Sequence, residues 1–169
     1  MVTNPVNSTV PVAAQALRKA GAFDPARLFG VTTFDVVRAS TFAADALGSN
    51  DPGAIKVPVI GGHSDATILP LYNQAQPLVD LKGEQLAAVI HRESIISQSM
   101  AISNMNTDVQ FGGDEIVKSK QGAGSATTCM AYASFRYIKG IVTAKLGTRV
   151  IEEAYVYLPG IPGGKGYCG

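Results

Sequence analysis

This sequence lacks an excess of charge of either sign: fourteen Lys and Arg stand against thirteen Asp and Glu, a formal net charge of +1. That balance leaves no electrostatic case for a nucleic-acid or membrane-surface partner. Long apolar runs are missing too, and none approaches the ~20 residues of a membrane-spanning helix. The opening Met1-Val2-Thr3-Asn4-Pro5 has no charged segment followed by an apolar stretch, so no signal peptide is expected. Cysteine is scarce. Cys129 and Cys168 are too few and too far apart for a disulfide framework or a zinc site, and two free thiols in a reducing compartment are the expectation.

The 169 residues are 46% apolar and 16% charged, enough to bury a sizeable core as one domain or a large piece of a two-domain enzyme. Punctuation divides the chain into alternating elements. Pro11 suits a first helical turn, and a helix is predicted from Val12 to Ala20 with Gly21 as its stop. Leu28 to Thr33 reads as a short buried strand. Phe34 to Leu47 has helical spacing, with Val37, Thr41 and Ala44 on one face. Ile55 to Ile60 returns to strand character and ends at Gly61-Gly62-His63. A helix is predicted from about Gly83 to Arg92, followed by a Ser- and Asn-rich stretch without period, Glu93 to Asp108. Gly112-Gly113 punctuates the chain before a short helix from Asp114 to Lys120. A long helix from Ser125, its expected N-cap, runs to Leu146 with Gly147 as stop, and Val150 to Leu158 is a strand. Strands alternating with helices point to an α/β or α+β fold, a mixed sheet packed by helices.

Three residues carry candidate chemistry. Asp35 and Arg38 lie three apart on a predicted helix, on neighbouring points of one face. Their plain alternative is a surface ion pair contributing about 0–1 kcal/mol. His63 follows a strand end and two glycines, where side chains are delivered into clefts and backbone approaches closely; the alternative is an exposed or internally satisfied histidine. Histidine is the side chain best suited to proton transfer near neutral pH. A carboxylate on its other ring nitrogen fixes the tautomer, and an arginine binds a carboxylate through a planar fork. Together the three suit a carboxylated alcohol or ketone. His91, beside Arg92, reads as a solvated helix face. Gly122-Ala123-Gly124 follows no strand of a βαβ unit and is no dinucleotide fingerprint.

The segments Asn4-Pro5-Val6-Asn7-Ser8-Thr9-Val10-Pro11, Leu28 to Arg38, Val57 to Ser64, Gly122 to Thr127 and Ala154-Tyr155-Val156 resemble, in order, the signatures of NAD-dependent malate dehydrogenases. The resemblance covers most of the chain outside Glu93–Asp108. It implies the α+β substrate domain of the lactate/malate dehydrogenase type across residues 1–169, with the N-terminal Rossmann half preceding Met1 and both ends truncated. It also implies reversible oxidation of malate to oxaloacetate with NAD. His63 would accept the hydroxyl proton and Asp35 would orient it. Arg38 and Asn4 would bind substrate, and Asn4 and Met130 would border the cofactor ring.

The implied partners are a small dicarboxylic acid and, in the complete enzyme, a second copy of the chain. The implied location is intracellular, with mitochondrion, cytosol and a peroxisome-like organelle all open. Other readings are a 2-hydroxy acid dehydrogenase for lactate or aromatic substrates, or a subunit that associates without catalysis. Asp65 departs from the family's small residue after Gly-Gly-His-Ser, and Phe34 and Ser40 replace a Leu and an Asn. Glu93–Asp108 reads as an insertion, dispensable for packing. The phosphate loop, the ribose-binding acid and the mobile arginine loop would lie before Met1, so the isolated chain is expected to show no turnover.

Overall fold

A computed structural model describes residues 1–76, 109–158 and 167–168. The helix expected at Gly83–Arg92 (with His91) and the segment Glu93–Asp108 lie outside the described residues.

Val6, Val10 and Ala14 recur every fourth residue and are all buried, so they define the inner stripe of α1, Val6–Lys19. The helix starts before Pro11, not at it: Pro11 sits inside. Its missing N–H removes one ladder bond, and the buried stripe carries the helix past it. A short strand, β1 (Gly30–Val31), passes beneath α1 and is narrower than the predicted strand because Thr33 already belongs to the next helix.

That helix, α2 (Thr33–Ala46), is central to the fold. Its buried face is Val36, Ala39, Ser40, Ala43 and Ala44, an i, i+3, i+4, i+7, i+8 stripe. Of the expected face only Ala44 is fully buried. Val37 and Thr41 are half-buried, because they border a cavity toward a later helix. The strands β2 (Val59–Gly61) and β3 (Ile68–Pro70) form an antiparallel hairpin, pairing Val59 with Pro70 and Gly61 with Ile68. Val57, Val59, Ile68 and Tyr72 pack with the α2 stripe and Val109 into one core.

Residues 109–119 form a helix, α3, that contains Gly112 and Gly113 where punctuation was expected. The long helix α4 spans Thr127–Lys145. Its N-cap is Ala126 without a side-chain cap bond; Ser125 contributes its carbonyl instead, to the Thr127 hydroxyl at 3.2 Å and Lys120 Nζ at 2.7 Å. Gly21 and Gly147 stop α1 and α4 as the sequence predicts, both at positive φ.

The last strands, β4 (Ala154–Tyr157) and β5 (Tyr167–Cys168), complete a sheet in the order β1-β4-β5. Gly30 pairs with Tyr155, and Tyr155, Val6, Val10 and Leu28 form a second, smaller core. Helices laid on small sheets give the α/β layering, and each ladder among the described residues is antiparallel. Among the described residues no helix is long and apolar enough to cross a membrane, and no cluster of three or more His, Cys, Asp or Glu could hold a metal.

Candidate active site

The site forms where the first turn of α2, the loop after β2 and the first turn of α1 meet. Asp35 stands in the first turn of α2, where the helix dipole favours negative charge. His63 follows the strand β2. The fold brings them together across 28 residues, with His63 Nδ1 hydrogen-bonded to Asp35 Oδ2. Their side chains are 8% and 1% exposed. With the carboxylate ionised, Nδ1 carries the proton and donates it, which leaves Nε2 as the ring nitrogen able to exchange a proton with a ligand. Asp35 Oδ1 is buried without a hydrogen-bond partner among the described residues.

The loop that carries His63 is closed on itself. Gly62 N–H donates to the Thr67 carbonyl at 2.9 Å, and the Thr67 hydroxyl donates to the Ser64 carbonyl at 2.6 Å. Gly61 has φ +95°, and a Cβ there would lie 2.1 Å from the Thr67 carbonyl oxygen. Only glycine satisfies both the dihedral and the space. Asn7, in the first turn of α1, reaches across: its Oδ1 accepts from the His63 N–H at 2.8 Å, and its Nδ2 donates to Ser64 Oγ at 3.1 Å.

Arg38 lies one turn beyond Asp35. Its Nη1 donates to the Val109 carbonyl at 2.7 Å, and its guanidinium covers the Phe34 ring at 4.2 Å. Gly112 and Gly113 of α3 lie against the same side chain; a Cβ at Gly112 would stand 3.4 Å from Arg38 Cδ and Nε. Nη2 is buried with no hydrogen-bond partner among the described residues. Burial pulls the Arg38 pKa below its ordinary value, against the opposing effects of Asp35 and of Cys129 at the start of α4. A buried guanidinium donor without a partner is costly, and a carboxylate oxygen is the kind of acceptor that satisfies it.

The remaining expected residues sit at the margins. Asn4 is exposed just before α1, and no hydrogen bond joins it to the Asp35–His63 pair. Met130 is half-buried in the first turn of α4. Cys129 is free and exposed. A cavity of about 320 Å³ between α2 and α4 holds none of the expected site residues; Lys56, Tyr132, Arg136 and Glu152 are among its lining.

Sequence reasoning missed Asn7, Thr67 and the Gly112-Gly113 pair. The paired glycines stand out in sequence only as punctuation, and nothing in that signal points to Arg38.

Residues 32–163 match the lactate/malate dehydrogenase alpha/beta C-terminal domain, and the chain belongs to that family. A malate dehydrogenase of Vibrio vulnificus is 46% identical over 156 residues, which cover 92% of this chain and 44% of the relative. The mitochondrial malate dehydrogenase of Felis catus is 45% identical over 157 residues, 92% of this chain and 41% of its own. The glyoxysomal malate dehydrogenase of Oryza sativa subsp. japonica is 46% identical over 153 residues, 90% and 38%. The chain thus spans less than half the length of these relatives. The crystal structure of Cryptosporidium parvum malate dehydrogenase matches with a TM-score of 0.77 over 99% of this chain and 49% of that one. At 21% identity that likeness speaks for the fold alone.

Proposed function

We propose that this chain is the catalytic portion of an NAD-dependent malate dehydrogenase, interconverting malate and oxaloacetate. The observation that carries the reading is the buried Asp35–His63 pair beside an Arg38 whose Nη2 has no hydrogen-bond partner among the described residues. His63 Nε2 takes the proton of the substrate hydroxyl, and Asp35 holds the ring and stabilises the imidazolium. Arg38 receives a substrate carboxylate through Nη2, while Nη1 stays on Val109.

The described residues fit the ring end of the cofactor rather than its phosphates. Asn4 offers an exposed amide and Met130 a half-buried thioether able to lie against an apolar ring. No glycine-rich turn among the described residues joins a strand to a helix N-terminus as a phosphate cradle requires. When bound, NAD supplies the hydride acceptor. The remaining work of this chain is to orient substrate and move one proton.

A homodimer belongs to the same proposal, as does an intracellular location, which the mitochondrial and glyoxysomal relatives support. So does the assignment of residues 1–169 as a C-terminal domain, with 93–108 as an insertion.

The test joins residues 1–169 behind the nucleotide-binding half of the Vibrio vulnificus relative and follows NADH consumption with oxaloacetate, pyruvate and phenylpyruvate. Turnover is expected with oxaloacetate and is expected to vanish in His63→Ala. A folded chimera that prefers pyruvate or phenylpyruvate overturns the substrate assignment. Activity that survives His63→Ala overturns the base.

A further inference from the structure

The Asp35–His63 contact does not explain how the His63 backbone is held. Hydrogen bonds within the loop close Gly62 to Thr67 and Thr67 to Ser64, but none of them grips residue 63 itself. The bond from the His63 N–H leaves the loop and ends on Asn7 Oδ1 at 2.8 Å. The other end of the same amide donates to Ser64 Oγ at 3.1 Å, so both polar atoms of Asn7 are committed to consecutive residues of the loop. The fit is tight. A Cβ at Gly62 would lie 2.8 Å from Asn7 Nδ2 and 2.6 Å from Thr67 Oγ1, so a side chain there would crowd the amide against the loop.

We propose that Asn7 is a positioning residue that fixes the His63 backbone so that the imidazole stays on Asp35, and that it ties this placement to the first turn of α1. This rests on the reading of His63 as the base. Asn4, three residues upstream, precedes the same helix, so the expected cofactor-side contact and the holder of the base lie on one short segment. Displacing a reacting group by a fraction of an ångström reduces turnover without abolishing binding. Asn7 touches no substrate in this scheme and acts only through His63.

The experiment has two arms. In the 169-residue chain, the His63 ring N–H shared with Asp35 gives a downfield proton resonance, identified by its loss in Asp35→Asn. Asn7→Ala is expected to broaden or remove that resonance and to speed exchange of the His63 backbone amide. Asn7→Asp, which keeps the acceptor, is expected to preserve both. In the chimera, Asn7→Ala is expected to lower kcat between about 10-fold and about 100-fold with a much smaller change in KM. Asn7→Asp is expected to keep most of kcat and to raise KM for the anionic substrate. If Asn7→Ala fails to fold, Asn7→Leu, which keeps a similar volume but has no acceptor, is expected to broaden the same resonance.

An unchanged ring-proton resonance in the folded variant overturns the proposal, as does a fall in melting temperature with kcat untouched. A wild-type chimera without turnover overturns the functional reading and leaves the resonance to decide the role of Asn7.

Discussion

Arg38 and Val109 are joined by a 2.7 Å hydrogen bond from Nη1 to the backbone carbonyl, and that bond determines which part of the guanidinium stays free. With Nη1 held, Nη2 is the buried donor without a hydrogen-bond partner among the described residues, and on the proposed reading it meets the substrate carboxylate. Lysine in its place offers a point charge that cannot hold Val109 and a carboxylate in the same plane. We expect Arg38→Lys and Arg38→Ala to lower kcat/KM for oxaloacetate by about 10-fold to about 100-fold, since the one charge-assisted hydrogen bond from Nη2 to the substrate carboxylate contributes about 1.5–3 kcal/mol. Steady-state kinetics on the chimera check this. A loss of less than about 10-fold in Arg38→Ala would remove Arg38 from substrate binding.

Gly61 sets the exit of the strand that delivers His63. At φ +95° with the Thr67 carbonyl 2.1 Å from a built Cβ, Gly61→Ala meets both dihedral strain and a backbone clash. The expected cost is about 1–3 kcal/mol of unfolding free energy, read as a lower urea midpoint at unchanged slope. An unshifted midpoint would show that the loop rearranges freely, and the tight closure through Thr67 would then lose its meaning for the site.

Parts of this architecture are legible from sequence, and the gaps have physical causes. Asp35 and Arg38 could be placed on one helix from their spacing, and a histidine after Gly-Gly could be placed at a strand end. That Asp35 meets His63 could not be read from spacing, because the contact closes over 28 residues and depends on how α2 packs against the hairpin. In sequence Gly112-Gly113 reads as a break, because glycine weakens an isolated helix. The contact with Arg38 overrides that preference, since small residues let α3 approach the guanidinium. The buried face of α2 shifted for a similar reason: Val37 and Thr41 face the cavity toward α4, so two sides of one helix are partly covered and periodicity alone selects the wrong one. Asn7 gave no local signal, since an asparagine in a first helical turn is ordinary and only the fold shows what it holds.

Tyr137 makes stability sensitive to alkaline pH. Burial, aided by the Glu152 carboxylate, pushes its phenol from 10.0 to about 12. Below pH 10 the phenol is protonated in folded and unfolded chains alike, so the group does not alter stability with pH there. Between pH 10 and about 12 the unfolded chain ionises and the folded chain does not, which draws the equilibrium toward unfolding. The melting temperature should fall across that window, and Tyr137→Phe should flatten the fall while keeping the edge-on contact with Phe29. An identical alkaline slope in the two proteins would assign the loss to other groups.

Gly112 separates helix propensity from access to Arg38. A methyl group there stands at 3.4 Å from Arg38 Cδ and Nε, at the edge of ordinary contact, so Gly112→Ala fits without moving the guanidinium. Because alanine restricts the unfolded chain and suits a helix interior, we expect Gly112→Ala to gain about 0.5–1 kcal/mol of stability. Activity in the chimera should stay the same. Gly112→Leu extends the side chain beyond that contact, and we expect it to displace Arg38 from the Val109 carbonyl and from the Phe34 ring. It should therefore raise KM for oxaloacetate far more than it lowers the melting temperature, and the ring proton shared by His63 and Asp35 should be untouched. If Gly112→Leu instead leaves KM unchanged, the guanidinium does not depend on α3 for its placement, and the Val109 bond is incidental to the site.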